Sequence, residues 1–310
     1  MSDYYFIHQI AMIADYYYPP GGVKYDNQWQ HLNKPFIHEI IPTMKPNSII
    51  FADTLWLDRF EIFNDIQVPF ILITAEADVT IPYNNYSKQI QCCYSVLNNP
   101  LLVKWFSINV DYSHPKLIPI PIGLPKHIPY IVNKINEPAY MGWVINFQIN
   151  QVSKFIATKN KTIRDKKHLL LYTRMTVQNS DYCFHDKEGI RRKALKILED
   201  KFDMSQSQSL VNWEDYIEEL MDYKFCLSLP GKGMDCYRTW EALTLGVIPI
   251  VLKTKHMDSI YEDLPVLIVD NLEILTEDYL NKQYEIIMNK KYNYNKLTSS
   301  YWIDIILGYT

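Results

Sequence analysis

Tyr223-Lys224-Phe225-Cys226-Leu227-Ser228-Leu229-Pro230-Gly231-Lys232-Gly233-Met234-Asp235-Cys236-Tyr237-Arg238-Thr239-Trp240-Glu241-Ala242-Leu243-Thr244-Leu245-Gly246-Val247-Ile248-Pro249-Ile250-Val251 is the stretch on which the fold turns. Phe225–Leu229 is a short apolar run that reads as a buried strand. Pro230–Met234 follows as a loop, and its two glycines, Gly231 and Gly233, let a backbone approach a ligand closely. Asp235 stands where a helix N-cap is expected, the helix runs to Leu245, and Gly246 suits the C′ position. On that helix Cys236, Trp240 and Leu243 form one stripe that should pack on a sheet, while Arg238 and Glu241 share another face. Val247–Leu252 is the next strand.

The same alternation extends outward in both directions. Strands are expected at His168–Thr173 and Val266–Val269, with helices over Lys187–Lys201 and Trp213–Met221. Earlier in the chain, Ser48–Asp53, Pro69–Glu76 and Leu117–Gly123 read as buried strands, with a helix over Asn85–Leu97. Strands alternating with helices imply parallel sheets covered by helices. Between the halves, Ala157–Lys167 turns polar and basic, which is the composition of a solvated connector. We therefore expect one Rossmann-like domain over 1–160, a second over 161–290 and a tail over 291–310. Two such domains enclose a cleft, and ligands of these sheets sit beyond the carboxyl ends of the strands.

Composition narrows the function. The 310 residues carry 31 Lys and Arg against 35 Asp and Glu, a net charge of −4, where a duplex nucleic-acid binder carries a basic surplus. With 48% hydrophobic and 21% charged residues the chain is globular rather than disordered. Five cysteines form neither a disulfide framework nor a zinc pattern, and the eight histidines show no paired metal spacing. The first residues lack the basic start of a signal peptide, and no apolar run approaches the ~18 residues that span a bilayer. A cytoplasmic protein without a membrane span is expected. Neither a Walker loop, a dinucleotide fingerprint nor a GxSxG elbow occurs.

The glycine loop leading into a helix is a natural anion site, because backbone amides and the helix dipole favour negative charge. Lys232 and Arg238 add cations beside it, and Glu241, one turn on, suits a pair of ribose hydroxyls. These parts fit a nucleoside diphosphate. A purely structural reading stays open at this point: Arg238 and Glu241 as a surface (i, i+3) ion pair worth about 0.3 kcal/mol, and the glycines as turn formers.

The 223–251 stretch resembles the C-terminal signature of the exostosin-like glycosyltransferases: a strand, a Pro/Gly loop, an Asp, an Arg, a Glu-Ala pair and a Gly-x-Ile-Pro strand. The likeness extends to Ile71–Asp78, Asn99-Pro100, Lys104-Trp105-Phe106, Asn109, His114-Pro115-Lys116, Ile120–Gly123 and Leu170–Arg174, with Asn179 and Arg191 following. Similar proteins occur among large DNA viruses. The resemblance implies a GT-B fold, with acceptor bound mainly by the first domain and a nucleotide-sugar by the second. It implies that Arg238 contacts the diphosphate and Glu241 the ribose. Ser228, Gly231, Lys232, Gly233, Asp235 and Thr239 would line the phosphate pocket, with Arg174 approaching from the loop after the second domain's first strand. By the same analogy the tail packs back on the first domain. Animal and plant members usually carry a membrane anchor, and none is expected here.

The implied reaction is transfer of a sugar from a UDP-sugar, or a GDP-sugar, to a glycan or glycoprotein hydroxyl with inversion. Cations at the diphosphate would take the place of a metal ion, so no cofactor and no essential divalent metal are expected. A base must come from the first domain, and Asp53, Glu76 and Asp78 follow strand-like runs; His8 is a weaker choice. Glu76-Ala77-Asp78 also resembles the acidic metal motif of GT-A transferases, which would make the enzyme metal-dependent. A nucleotide-sugar epimerase and a non-catalytic nucleotide-sugar or glycan-binding module are the other readings.

Overall fold

A computed structural model describes residues 4–5, 7–18, 41–75, 78–82, 87–125, 166–171, 173–177, 189–202 and 211–309. The connector expected over 157–167 falls outside these residues except for its last two positions. Two parallel sheets organise the chain. The first has five strands in the order β1 (Tyr16–Tyr18), β2 (Ser48–Asp53), β3 (Phe70–Ala75), β4 (Leu102–Ser107) and β5 (Leu117–Pro119). The second has four: β6 (His168–Leu171), β7 (Tyr223–Leu227), β8 (Ile248–Leu252) and β9 (Leu267–Val269). Every pairing is parallel, for example Ser48 opposite Phe70 and Phe225 opposite Ile248. This is an α/β arrangement of two Rossmann-like parallel sheets with a cavity between them.

The helices are α1 (Ile7–Met12), α2 (Ser87–Asn98), α3 (Ile190–Glu199), α4 (Trp213–Leu220), α5 (Tyr237–Thr244), α6 (Glu277–Met288) and α7 (Ser299–Leu307). Across the described strands neither sheet reverses its order, so a ligand site is set by the cleft rather than by a switch point within one sheet. Strands β2, β3 and β8 are buried almost throughout, which is why they read as continuous apolar runs instead of alternating ones.

On the second sheet, Ile248 and Ile250 face a core shared with Ala194 and Leu198 of α3 and Leu280 of α6. Val247 and Val251 face the other way, into a core continuous with Phe51, Phe106 and Trp105 of the first sheet. Trp240 and Leu243 of α5 join this second core, so the helix that carries Arg238 and Glu241 is packed between the halves. Each fully buried large side chain of this kind contributes roughly 2 kcal/mol by leaving water. The tail closes the structure: Tyr5 N–H donates to the Leu297 carbonyl at 2.9 Å, Ser299 Oγ to the Tyr4 carbonyl at 3.2 Å, and the Tyr5 and Trp302 rings meet edge to face. No helix among the described residues is long and apolar enough to cross a membrane.

Helix α5 starts one residue later than its sequence suggests. Cys236 is the N-cap and makes no side-chain cap bond, while Asp235 turns inward. Its far end agrees with the spacing, since Gly246 has φ 65°.

Candidate functional site

A cavity of about 310 Å³ opens between the sheets. The loops lining it leave the carboxyl ends of strands: Asp78 after β3, Ile122 after β5, Arg174–Thr176 after β6 and Gly231–Cys236 after β7. Arg191 of α3, Tyr216 of α4 and Tyr237, Arg238 and Glu241 of α5 complete the wall. Four cationic side chains, Arg174, Arg191, Lys232 and Arg238, thus meet three carboxylates, Asp78, Asp235 and Glu241.

Arg238 is held in place by backbone. Its guanidinium donates to the Thr173 carbonyl at 2.9 Å and to the Arg174 carbonyl, and it lies 5.2 Å from the centre of the Tyr216 ring. Burial works against its charge, but Tyr216, Cys226 and Glu241 outweigh that and keep its pKa raised. Arg174 adopts φ 60°, and its guanidinium grips Glu219 at 2.7 and 3.2 Å in a bidentate pair. Arg238 therefore shapes the loop after β6 as well as charging the cavity.

Glu241 is 5% exposed, and its Oε1 accepts from Trp213 Nε1 at 2.8 Å. Burial raises its pKa, and the Trp213 hydrogen bond and the Arg238 charge pull the other way. The surface ion-pair reading of Arg238 and Glu241 does not hold, since Glu241 is buried and Arg238 is half-buried with its guanidinium on the Thr173 and Arg174 carbonyls. Arg191 donates to the carbonyls of Thr176, Leu229 and Pro230 at 2.9, 2.9 and 3.1 Å. Gly231 makes that possible, because a Cβ there would stand 2.8 Å from Arg191 Nη2.

Asp235 is a buried junction. Its carboxylate accepts from Cys236 N–H (2.9 Å), Tyr261 hydroxyl (3.1 Å), Trp240 Nε1 (2.8 Å) and, across the cleft, Ile122 N–H (2.8 Å). Desolvation outweighs these bonds and pushes its pKa up to about 6. The loop amides differ from expectation too. Met234 and Asp235 N–H both donate to Asn109 Oδ1 at 2.9 Å, Gly231 N–H to the Gly233 carbonyl and Cys236 N–H to Asp235. Those four amides are spent inside the protein, so side-chain cations dominate the positive charge of the cavity.

Ser228 and Thr239 do not line the cavity. Both are buried, Ser228 just after β7 and Thr239 on α5, and their hydroxyls bond each other at 2.8 Å. Among the acids, Asp78 is at the cavity and Asp53, at the end of β2, is not. Glu76 lies outside the described residues, as does the side chain of His8 in α1. Asp78 is solvent-exposed at the cavity it shares with Lys232 and Arg191; partial desolvation raises its pKa, and those two cations pull it down.

Four further contributors carry no site role in the sequence reading: Arg191, Trp213, Tyr216 and Asn109. Arg191 and Asn109 stand in the stretches that carry the family likeness, without a part assigned. The i, i+3 spacing of Trp213 and Tyr216 puts them on one face of α4 but does not signal that this face meets the helix carrying Glu241.

No protein-family model matches the chain, and no curated protein matches it. Solved structures do overlay. The N-terminal domain of trehalose-6-phosphate phosphatase from Candida albicans aligns over 94% of this chain and 77% of its own, at 11% identity and TM-score 0.36. An E. coli structure described as trehalose-6-phosphate bound with UDP-2-fluoro glucose aligns over 88% and 72%, at 8% identity and TM-score 0.36. The UDP-forming alpha,alpha-trehalose-phosphate synthase from Burkholderia xenovorans, in complex with glucose-6-phosphate, aligns over 91% and 75%, at 8% identity and TM-score 0.37.

Proposed function

We propose that the protein is an exostosin-like glycosyltransferase that binds a nucleoside diphosphate sugar in the cleft, a UDP-sugar or a GDP-sugar, and transfers the sugar to a glycan hydroxyl. One observation carries this reading: loops from both sheets bring Asp78 to the same cavity as Arg174, Arg191, Lys232 and Arg238, with the buried Glu241 on its wall. A cavity of about 310 Å³ suits a diphosphate and the groups that adjoin it.

In the reaction, the acceptor oxygen forms a bond to sugar C1 as the bond from C1 to the diphosphate oxygen breaks. The bonding pair leaves with the nucleoside diphosphate, and the acceptor proton passes to Asp78. Negative charge grows on the leaving group, so fixed cations beside it lower the barrier more than they tighten ground-state binding. Lys232 and Arg238 supply that charge, and Glu241 accepts from ribose hydroxyls. Attack from the side of Asp78, opposite the leaving group, inverts C1. The charge assigned to a metal in other transferases is provided here by side chains, so turnover persists in EDTA.

A thermal-shift screen against UDP, GDP, CMP and their sugars tests this. Selective stabilisation by one diphosphate class follows from mass action if the folded cleft binds it. No shift with any nucleotide contradicts the reading. Binding without turnover across the donor panel favours a nucleotide-sugar-binding module instead.

A further inference from the structure

Asn109 bridges the two sides of the cavity. It follows β4, is fully buried and has φ 55°. Its side-chain oxygen accepts both Met234 N–H and Asp235 N–H at 2.9 Å, which fixes the loop that carries Lys232. Its main-chain carbonyl accepts Ile81 N–H at 2.9 Å, and Asp111 N–H returns a bond to the Ile81 carbonyl at 2.8 Å. Ile81 is three residues beyond Asp78. One residue thus holds the segment of the proposed base with its backbone and the donor-side loop with its side chain. The fit is close: a Cβ on Gly233 would stand 2.8 Å from Asn109 Nδ2, a buried nitrogen without a hydrogen-bond partner.

We infer that Asn109 is a positioning residue for sugar transfer, setting the separation between the Asp78 carboxylate and the cations of the Gly231–Asp235 loop. The inference rests on the proposed glycosyl-transfer reading. Asn suits the task for two reasons. It adopts the left-handed region more readily than most residues, and its amide oxygen has two lone pairs to satisfy both N–H groups.

The test is a double-mutant cycle of N109A and D78N, read as hydrolysis of the best donor from a UDP-sugar and GDP-sugar panel and as affinity for the free nucleoside diphosphate. If Asn109 acts by placing Asp78, N109A lowers kcat by about tenfold or more in the wild-type background and by about twofold or less in D78N. N109D keeps an acceptor for both amides and returns kcat to within about fivefold of wild type. Losses that simply add overturn the inference, as does an N109D enzyme as impaired as N109A. If N109A does not fold, N109S, which is too short to reach both amides, takes its place in the cycle. Nucleotide affinity separates the two levels: additive losses in variants that still bind the nucleotide overturn only the role of Asn109. A wild-type protein that binds none overturns the function as well.

Discussion

The carboxylate of Asp235 accepts a hydrogen bond from the backbone N–H of Ile122 at 2.8 Å, across 113 positions of sequence. The bond ties the segment after β5 to the residue just before the N-cap of α5. The same carboxylate takes donors from Trp240, Tyr261 and Cys236, so the start of the helix and the seam between the sheets share one acceptor.

Replacing Asp235 with Asn leaves two of the four donors facing an amide NH₂, and each buried donor left unpaired costs about 1–3 kcal/mol. The loss depends on pH. With its pKa pushed up to about 6, folded Asp235 holds its proton more tightly than in the unfolded chain, where Asp titrates near ~3.9. Stability from this group is therefore fully present below about 4 and falls as pH rises toward 6. The Tm gap between wild type and D235N is widest at the acid end of that window and narrows toward neutrality. Thermal melts across the pH series check this, and a gap that widens with pH contradicts it.

Gly233→Ala places a Cβ 2.8 Å from Asn109 Nδ2 and 3.0 Å from its Oδ1, an oxygen already held by two amides. The Asn109 side chain has no room to withdraw without giving up those bonds. We expect a loss of about 2 kcal/mol or more in denaturant unfolding. Gly308→Ala offers a comparison at φ 74° with open space around it, where backbone strain alone acts and the cost is about 1 kcal/mol.

Arg238→Ala and Glu241→Ala each weaken nucleoside diphosphate binding by about tenfold or more, the worth of a charge-assisted hydrogen bond. Arg238→Lys does not restore affinity, because an ammonium cannot span the Thr173 and Arg174 carbonyls as the guanidinium does. Calorimetric titration with UDP or GDP, alongside circular dichroism to confirm folding, measures both effects.

Asp78 must be ionised to accept a proton, and partial desolvation at the cavity shifts its pKa up from the ordinary Asp value although the residue is exposed. The acid limb of kcat/KM therefore sits above the ordinary Asp value, with activity lost as pH falls through it. Asp78→Asn removes the limb and lowers kcat by about 100-fold, with a smaller effect on nucleotide affinity. An unchanged acid limb in the variant contradicts the assignment.

The architecture was legible because buried parallel strands are written as short apolar runs, and Ser48–Asp53, Phe70–Ala75 and Ile248–Leu252 are nearly uninterrupted. β1 was not, since Tyr16–Tyr18 is three tyrosines without a distinctive period. The pocket stretch 231–241 was legible from its glycines and charges. What local spacing does not encode is where a donor is spent. Asn109, 125 positions from Met234, takes the loop amides that otherwise suit a phosphate. Asp235 bonds as a junction rather than a cap for the same reason, with Ile122 and Tyr261 brought in by the tertiary fold. Ser228 after β7 and Thr239 on α5 satisfy each other, a pairing set by the packing of the helix on the strand.

The most direct measurement is a crystal structure with UDP or GDP bound. The diphosphate is expected in the cleft cavity beside Lys232 and Arg238, with the ribose hydroxyls on Glu241. Nucleotide lodged at another surface, with that cavity empty, contradicts it.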